Sequence, residues 1–117
     1  MKFITPYKKV TDARGIFIGI INSGTWEEIN MIETEAGNVR GGHYHKEILE
    51  LFYILEGRIE ISISKANGGE RQICSIGEGQ IILVEPFEVH TFRCLTKCKW
   101  INALSRKIDE LSPDFYR

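Results

Sequence analysis

An antiparallel β-barrel or jelly roll is the fold this sequence predicts. Three observations carry that reading: one segment of clean period-two alternation ending in an Asn-Gly turn, further short apolar runs at near-regular spacing with no helices between them, and 11 glycines against 3 prolines. Within Arg58–Lys65, Ile59, Ile61 and Ile63 alternate with Glu60, Ser62 and Ser64, as in a strand with one buried face. Asn67-Gly68 accepts positive φ, so a hairpin turn leads into a partner strand over 70–76, closed by Gly77-Glu78-Gly79. Further strands are expected over 16–21, 28–34, 39–45, 50–56, 80–84, 89–96 and 99–104. Helical signal is confined to the tail, where Ser105 caps a short turn through Leu111 before Pro113 breaks it.

The whole chain, 1–117, is expected to form a single domain, long enough to bury roughly two-thirds of its unfolded surface. With 15 basic and 16 acidic side chains the net charge is −1, which gives no footprint for a nucleic-acid backbone or an anionic membrane. Apolar runs such as Ile81 to Val84 are too short to span a bilayer, and MKFITPYKKV lacks the apolar core of a signal peptide. Three cysteines (Cys74, Cys94, Cys98) without CxxC spacing read as reduced thiols in a cytoplasmic protein. The runs from Leu51 to Leu55 and from Ile81 to Val84 are apolar on both faces. One face of each is barrel interior, so the other needs cover. A second copy in a homodimer is the preferred source, ahead of the chain's own N-terminal strand or C-terminal tail.

The chain has 3 histidines, and their placement is its most informative feature. His43 and His45 lie two apart, which on a strand turns both imidazoles to one side. Glu50 opens the next strand, and His90 begins another after Pro86. Three imidazoles and a carboxylate suit a divalent transition metal such as Fe, Mn, Ni, Cu or Zn, with coordination positions left for water or substrate. A His-x-His pair alone is more often a satisfied polar pair; its company here raises the odds.

The run from Gly37 through His43, His45 and Glu50 to Gly57 resembles the first cupin motif: glycine, five residues, HxH, four residues, glutamate, six residues, glycine. A second cupin motif over 79–94 is met at Gly79 and His90, with Glu85, Phe87 and Cys94 where that family has proline, glycine and asparagine. The resemblance implies a β-barrel with metal on His43, His45, Glu50 and His90. The missing glycine at Phe87 implies an altered turn before His90. Cys94 and Cys98 read as buried, inert thiols on one strand face.

Asp12-Ala13-Arg14-Gly15 and Arg40-Gly41-Gly42-His43 resemble the DxRG and RGxH signatures of nucleotide-sugar cupins, the dTDP-4-dehydrorhamnose 3,5-epimerases and dTDP-4-keto-6-deoxyhexose 3,4-ketoisomerases. The string from Arg40 to Lys46, with Glu50 and Phe52, is similar to the small cupin domain of capsular-polysaccharide reductases, and the run from Ser112 to Arg117 to the ketoisomerase tail. The resemblance implies His43 as general base beside a ketone and Arg40 as a diphosphate clamp. Strict alternation puts Arg40 and His43 on opposite faces unless Gly41-Gly42 forms a bulge or a neighbouring subunit supplies the pocket. The epimerases and ketoisomerases work without metal, and one imidazole does not serve readily as both ligand and base. Four readings follow: a metal-binding cupin acting on a sugar or nucleotide-sugar in polysaccharide biosynthesis, a metal-free isomerase or epimerase using His43 and His45, a non-catalytic cupin that binds a small molecule, and an iron-dependent dioxygenase. Arg14 reads as a loop or dimer pin, Glu85 as a rim carboxylate, and Trp26 and Trp100 as core.

Overall fold

The computed structural model describes residues 1–117 and contains strands but no helix. In chain order these are β1 (Lys2–Ile4), β2 (Lys8–Asp12), β3 (Gly15–Gly19), β4 (Glu28–Thr34), β5 (Val39–His43), β6 (Glu50–Glu56), β7 (Arg58–Lys65), β8 (Gln72–Gly77), β9 (Ile81–Val84), β10 (Glu88–Cys94) and β11 (Cys98–Leu104). A five-stranded sheet, β1-β9-β6-β11-β4, faces a four-stranded one, β5-β10-β7-β8, and every pairing is antiparallel. This is the jelly roll that the alternation in the sequence predicts.

The period-two pattern of β7 turns Ile59, Ile61 and Ile63 inward, where they meet Phe52 and Ile54 of β6 and Trp100 of β11 in the main core. A smaller cluster lies on the outer face of the five-stranded sheet. There Leu51, Ile81 and Ala103 are covered by Ile4, Ile20, Ile21 and Trp26. The chain's own N-terminal segment therefore supplies part of the cover expected from a second copy. It stops short of β4, where Ile29 and Met31 stay 70% and 60% exposed.

Two elements had no signal in the sequence. β1 is held by its ladder to β9, and β2 pairs only with β3, in a ribbon apart from both sheets, with all five of its residues exposed. A strand without a buried face shows no alternation to read. Arg14 pins the tip of this ribbon, its main-chain N–H and guanidinium both donating to the Asp12 carboxylate.

The expected helical turn over 105–111 does not form, because its donors are taken elsewhere. Lys107 N–H and Ile108 N–H go to the carboxylates of Glu27 and Glu28, Leu111 N–H goes to Asp109 Oδ1, and Ser105 Oγ accepts from Leu49 N–H instead of capping. Side chains that bond nearby main chain compete with helix for the same groups. No helix is long and apolar enough to cross a membrane.

Candidate functional site

The site begins with a bulge. His43 pairs with His90, Gly41 with Thr91 and Arg40 with Phe92, so Gly42 is an extra residue in β5. His90 and Phe92 both face the interior of β10. Their cross-strand partners His43 and Arg40 therefore share that face, and both line one cavity of ≈ 230 Å³. Gly41 and Gly42 make this possible with φ of 101° and 77°. At Gly41 a Cβ would also stand 2.5 Å from the His90 carbonyl oxygen.

Four side chains meet at the cavity's polar end. The donor atoms of His43, His45, Glu50 and His90 lie within 4.8 Å of one another. Glu50 Oε1 is 2.5 Å from His45 Nε2, 3.3 Å from His90 Nε2 and 3.9 Å from His43 Nε2. Its Oε2 accepts from Asn102 Nδ2 at 3.1 Å. Two imidazoles are anchored from behind: His90 Nδ1–H donates to the Glu88 carbonyl at 3.1 Å, and His45 Nδ1–H to the Asp114 carbonyl. That anchoring turns each Nε2 toward Glu50, as in proteins where a second hydrogen bond orients a metal-ligating histidine.

Burial opposes charge on Glu50, but the three imidazoles gathered around it, His43, His45 and His90, outweigh it and hold the carboxyl far below its usual range. Burial likewise works against protonation of His45. The Glu50 hydrogen bond and the Asp114 carbonyl overcome it and raise its pKa. An ionised, buried carboxylate beside three imidazole nitrogens fits a divalent transition metal by its donor chemistry.

The C-terminal segment, singled out in the sequence only by its likeness to the ketoisomerase tail, closes one side of the site. The Asp114 carboxylate accepts N–H bonds from Lys46, Glu47 and Ile48 at 2.8, 2.7 and 3.0 Å. Burial raises its pKa, but these three bonds prevail and lower it. Phe115 stacks on the His43 ring at 4.3 Å, and Tyr116 bridges Tyr44 through paired backbone hydrogen bonds. The signal for this segment in the sequence is that likeness, over Ser112-Pro113-Asp114-Phe115-Tyr116-Arg117.

At the rim, Arg40 donates from Nε to Thr34 Oγ1 at 2.7 Å and from Nη2 to the Glu33 carbonyl at 3.1 Å. Neither acceptor is charged, so the guanidinium has no carboxylate partner. Glu85 is half-buried, with Lys2 at 3.6 Å. Cys94 and Cys98 are fully buried in the main core, and burial, followed by Cys98, pushes the Cys94 thiol up to about 12. They are packing residues.

Phe87 does not alter the turn in the way its replacement of glycine suggests. It adopts φ 64°, the left-handed conformation a glycine would take. Its N–H donates to the His45 carbonyl at 2.7 Å and its carbonyl accepts from Ala66 N–H at 2.8 Å, which fixes the turn. An L-residue there stores roughly 1 kcal/mol. Phe87→Gly is expected to raise the unfolding free energy by about 0.5–1 kcal/mol, since the Tyr44 stack offsets part of the relief. Urea denaturation checks this, and an unchanged or lower midpoint contradicts it.

Comparison with known proteins agrees with this fold. In solved structures, the fold is similar to capsular polysaccharide assembling protein CapF from Staphylococcus aureus, with TM-score 0.73 and 18% identity over 98% of this chain and 34% of that one. It is similar to dTDP-4-dehydrorhamnose 3,5-epimerase from Sulfolobus tokodaii, with TM-score 0.77 and 19% identity over 94% and 77%. The 3,4-ketoisomerase QdtA from Thermoanaerobacterium thermosaccharolyticum, crystallised as a mutant with TDP-4-keto-6-deoxyglucose, gives TM-score 0.77 and 17% identity over 96% and 83%. The chain thus spans about a third of the length of CapF. No curated protein sequence matches it. Residues 10–102, most of the chain, match one sequence family, and the chain belongs to it: the polysaccharide biosynthesis C-terminal domain family.

Proposed function

We propose that residues 1–117 form one cupin domain that binds a divalent transition metal and acts as an isomerase or epimerase on a nucleotide-sugar in polysaccharide biosynthesis. The observation that carries this reading is one cavity with Glu50 and three imidazoles converging at one end and, at its rim, an Arg40 guanidinium without a carboxylate partner. His43, His45, Glu50 and His90 would hold the metal, which when bound supplies Lewis-acid polarisation of a carbonyl oxygen. Arg40 presents a planar fork to a diphosphate. Phe115 shields one face of His43 from water. The likeness to structures of a 3,5-epimerase and a 3,4-ketoisomerase supports a keto-sugar substrate.

One observation favours a metal-free variant of the same chemistry. His43 is the most exposed of the three imidazoles and the farthest from Glu50. It is the one placed to take a proton from a carbon beside a ketone, and inversion at that carbon would need a second donor, a side chain or water, on the opposite face. The test is deuterium exchange from heavy water into TDP-4-keto-6-deoxyglucose at the carbons beside the keto group, using metal-loaded, metal-stripped and His43→Asn protein. Exchange that needs metal supports the metal-binding reading. Exchange that survives stripping and vanishes in His43→Asn supports the metal-free one. No exchange in any form, with a ligand-raised Tm, leaves a non-catalytic binding cupin.

We also propose a homodimer in the cytoplasm. β4 is an edge strand with Ile29 and Met31 exposed on its outer face, and the three thiols are unpaired. Met31→Glu is expected to halve the mass seen by sedimentation equilibrium. A wild type that is already monomeric contradicts the proposal.

A further inference from the structure

Two residues of the cavity wall each carry a polar atom with nothing to bind. Trp100 Nε1 and Asn102 Oδ1 are sealed from solvent and have no hydrogen-bond partner. The two residues sit two apart on β11, which turns their side chains to the same inner face. Both line the cavity that holds His43, Glu50 and His90. The Asn102 amide is not free to reverse: its Nδ2 donates to Glu50 Oε2, and a flipped amide would set oxygen against an ionised carboxylate. Oδ1 is thus the atom left over. Native proteins rarely leave buried donors or acceptors unpaired. An orphan donor and an orphan acceptor on two residues that line one cavity point to a missing partner.

We infer that Trp100 and Asn102 are specificity-determining residues that read one hydroxyl, or two neighbouring ones, on the sugar held in this cavity. The indole N–H donates to a hydroxyl oxygen, and a hydroxyl proton is donated to Asn102 Oδ1. This rests on the reading of the cavity as a sugar-binding site. Ligand chemistry narrows the choice: a carboxylate has no proton for Asn102, an ammonium has no lone pair for the indole, and an alcohol has both. Size narrows it further. Cavities for whole drug-sized ligands run from about 300 to 1,000 Å³. A cavity of ≈ 230 Å³ takes the monosaccharide end and leaves the nucleotide outside, past Arg40. A buried water is the competing occupant, since it too donates and accepts.

The test compares binding of TDP-4-keto-6-deoxyglucose and of TDP alone by calorimetry, using metal-loaded wild type, Trp100→Phe and Ile54→Val. Ile54 pairs with Trp100 across the sheet and belongs to the main core, so it reports a packing defect beside the indole without loss of the N–H. Trp100→Phe is expected to cut the preference for the sugar nucleotide over TDP about tenfold, the worth of one hydrogen bond, with TDP affinity and metal content unchanged. Ile54→Val is expected to keep the preference. Indole N–H resonances of the wild type give a readout without a core variant. Trp26 Nε1 already donates to the Ser23 carbonyl, so only the Trp100 signal should move with the sugar nucleotide, and neither with TDP. A stationary Trp100 signal under saturating sugar nucleotide means that water occupies the site, and overturns the inference. So does an undiminished preference in Trp100→Phe, or an equal loss in Ile54→Val. A wild type that binds both probes equally well overturns the sugar-site reading itself, a different failure.

Discussion

Glu50→Gln is expected to lower affinity for a divalent transition metal by about 10²–10³-fold, roughly 3–4 kcal/mol. The substitution keeps the shape of the side chain and removes its charge. Glu50 is 4% exposed and is the carboxylate toward which all three imidazoles are directed. A buried amide offers weaker donation to a cation, and its NH2 group faces nitrogens that are themselves donors when protonated. Both changes act against binding. Elemental analysis after dialysis, with competition against a chelating dye, measures the loss. Equal metal content and affinity in Glu50→Gln and wild type would remove Glu50 from the ligand set.

Gly41→Ala is expected to destabilise the fold by roughly 3 kcal/mol and to disturb the position of His90. Two penalties combine. The φ of 101° is unfavourable for any side chain, and the new Cβ would stand 2.5 Å from the His90 carbonyl oxygen. That oxygen belongs to main chain in the sheet, so it cannot swing away as a flexible side chain would. Gly68 provides the control, with the same φ of 101° and no atom within 4 Å of the point where a Cβ would stand. Gly68→Ala should cost only about 1 kcal/mol, the conformational part. The difference between the two urea midpoints isolates the clash, and equal midpoints would show that β5 yields at no cost.

Most of the barrel was legible because its strands bury one face. β7 alternates along its whole length and pairs with β10 and β8, while β6 and β11 of the facing sheet carry apolar residues that pack against it. The bulge at Gly42 was legible as one of two options: Arg40 and His43 could serve one pocket through a bulge at Gly41-Gly42 or through a neighbouring subunit, and the structure has the bulge. β1 and β2 were not, since one is held mainly by backbone pairing and the other has no buried side. The helical turn after Ser105 failed for a related reason. Local propensity there favoured a helix, while the carboxylates of Glu27 and Glu28, some eighty residues away in the chain, claimed its donors. Within the site, spacing brought out His43, His45, Glu50 and His90, but no spacing rule points to Asp114, whose contacts are with residues 45–48. The unpaired atoms of Trp100 and Asn102 were equally hidden, because a lack of partners exists only in three dimensions.

The anchoring of His45 by Asp114 has a consequence for when the site comes into being. Its four donors run from residue 43 to residue 90, yet the groups that hold them in place come from residues 88, 102 and 114. During synthesis, at about 5–20 residues per second, the first two histidines emerge seconds before the carbonyl that orients one of them. A growing chain thus offers loose imidazoles, and the ordered cluster exists only after β10, β11 and the final segment have docked. For the proposed metal, discrimination among cations would therefore belong to the finished barrel, through cavity shape and fixed nitrogen directions, and not to the nascent chain, where the intrinsic affinity order of the metals would decide.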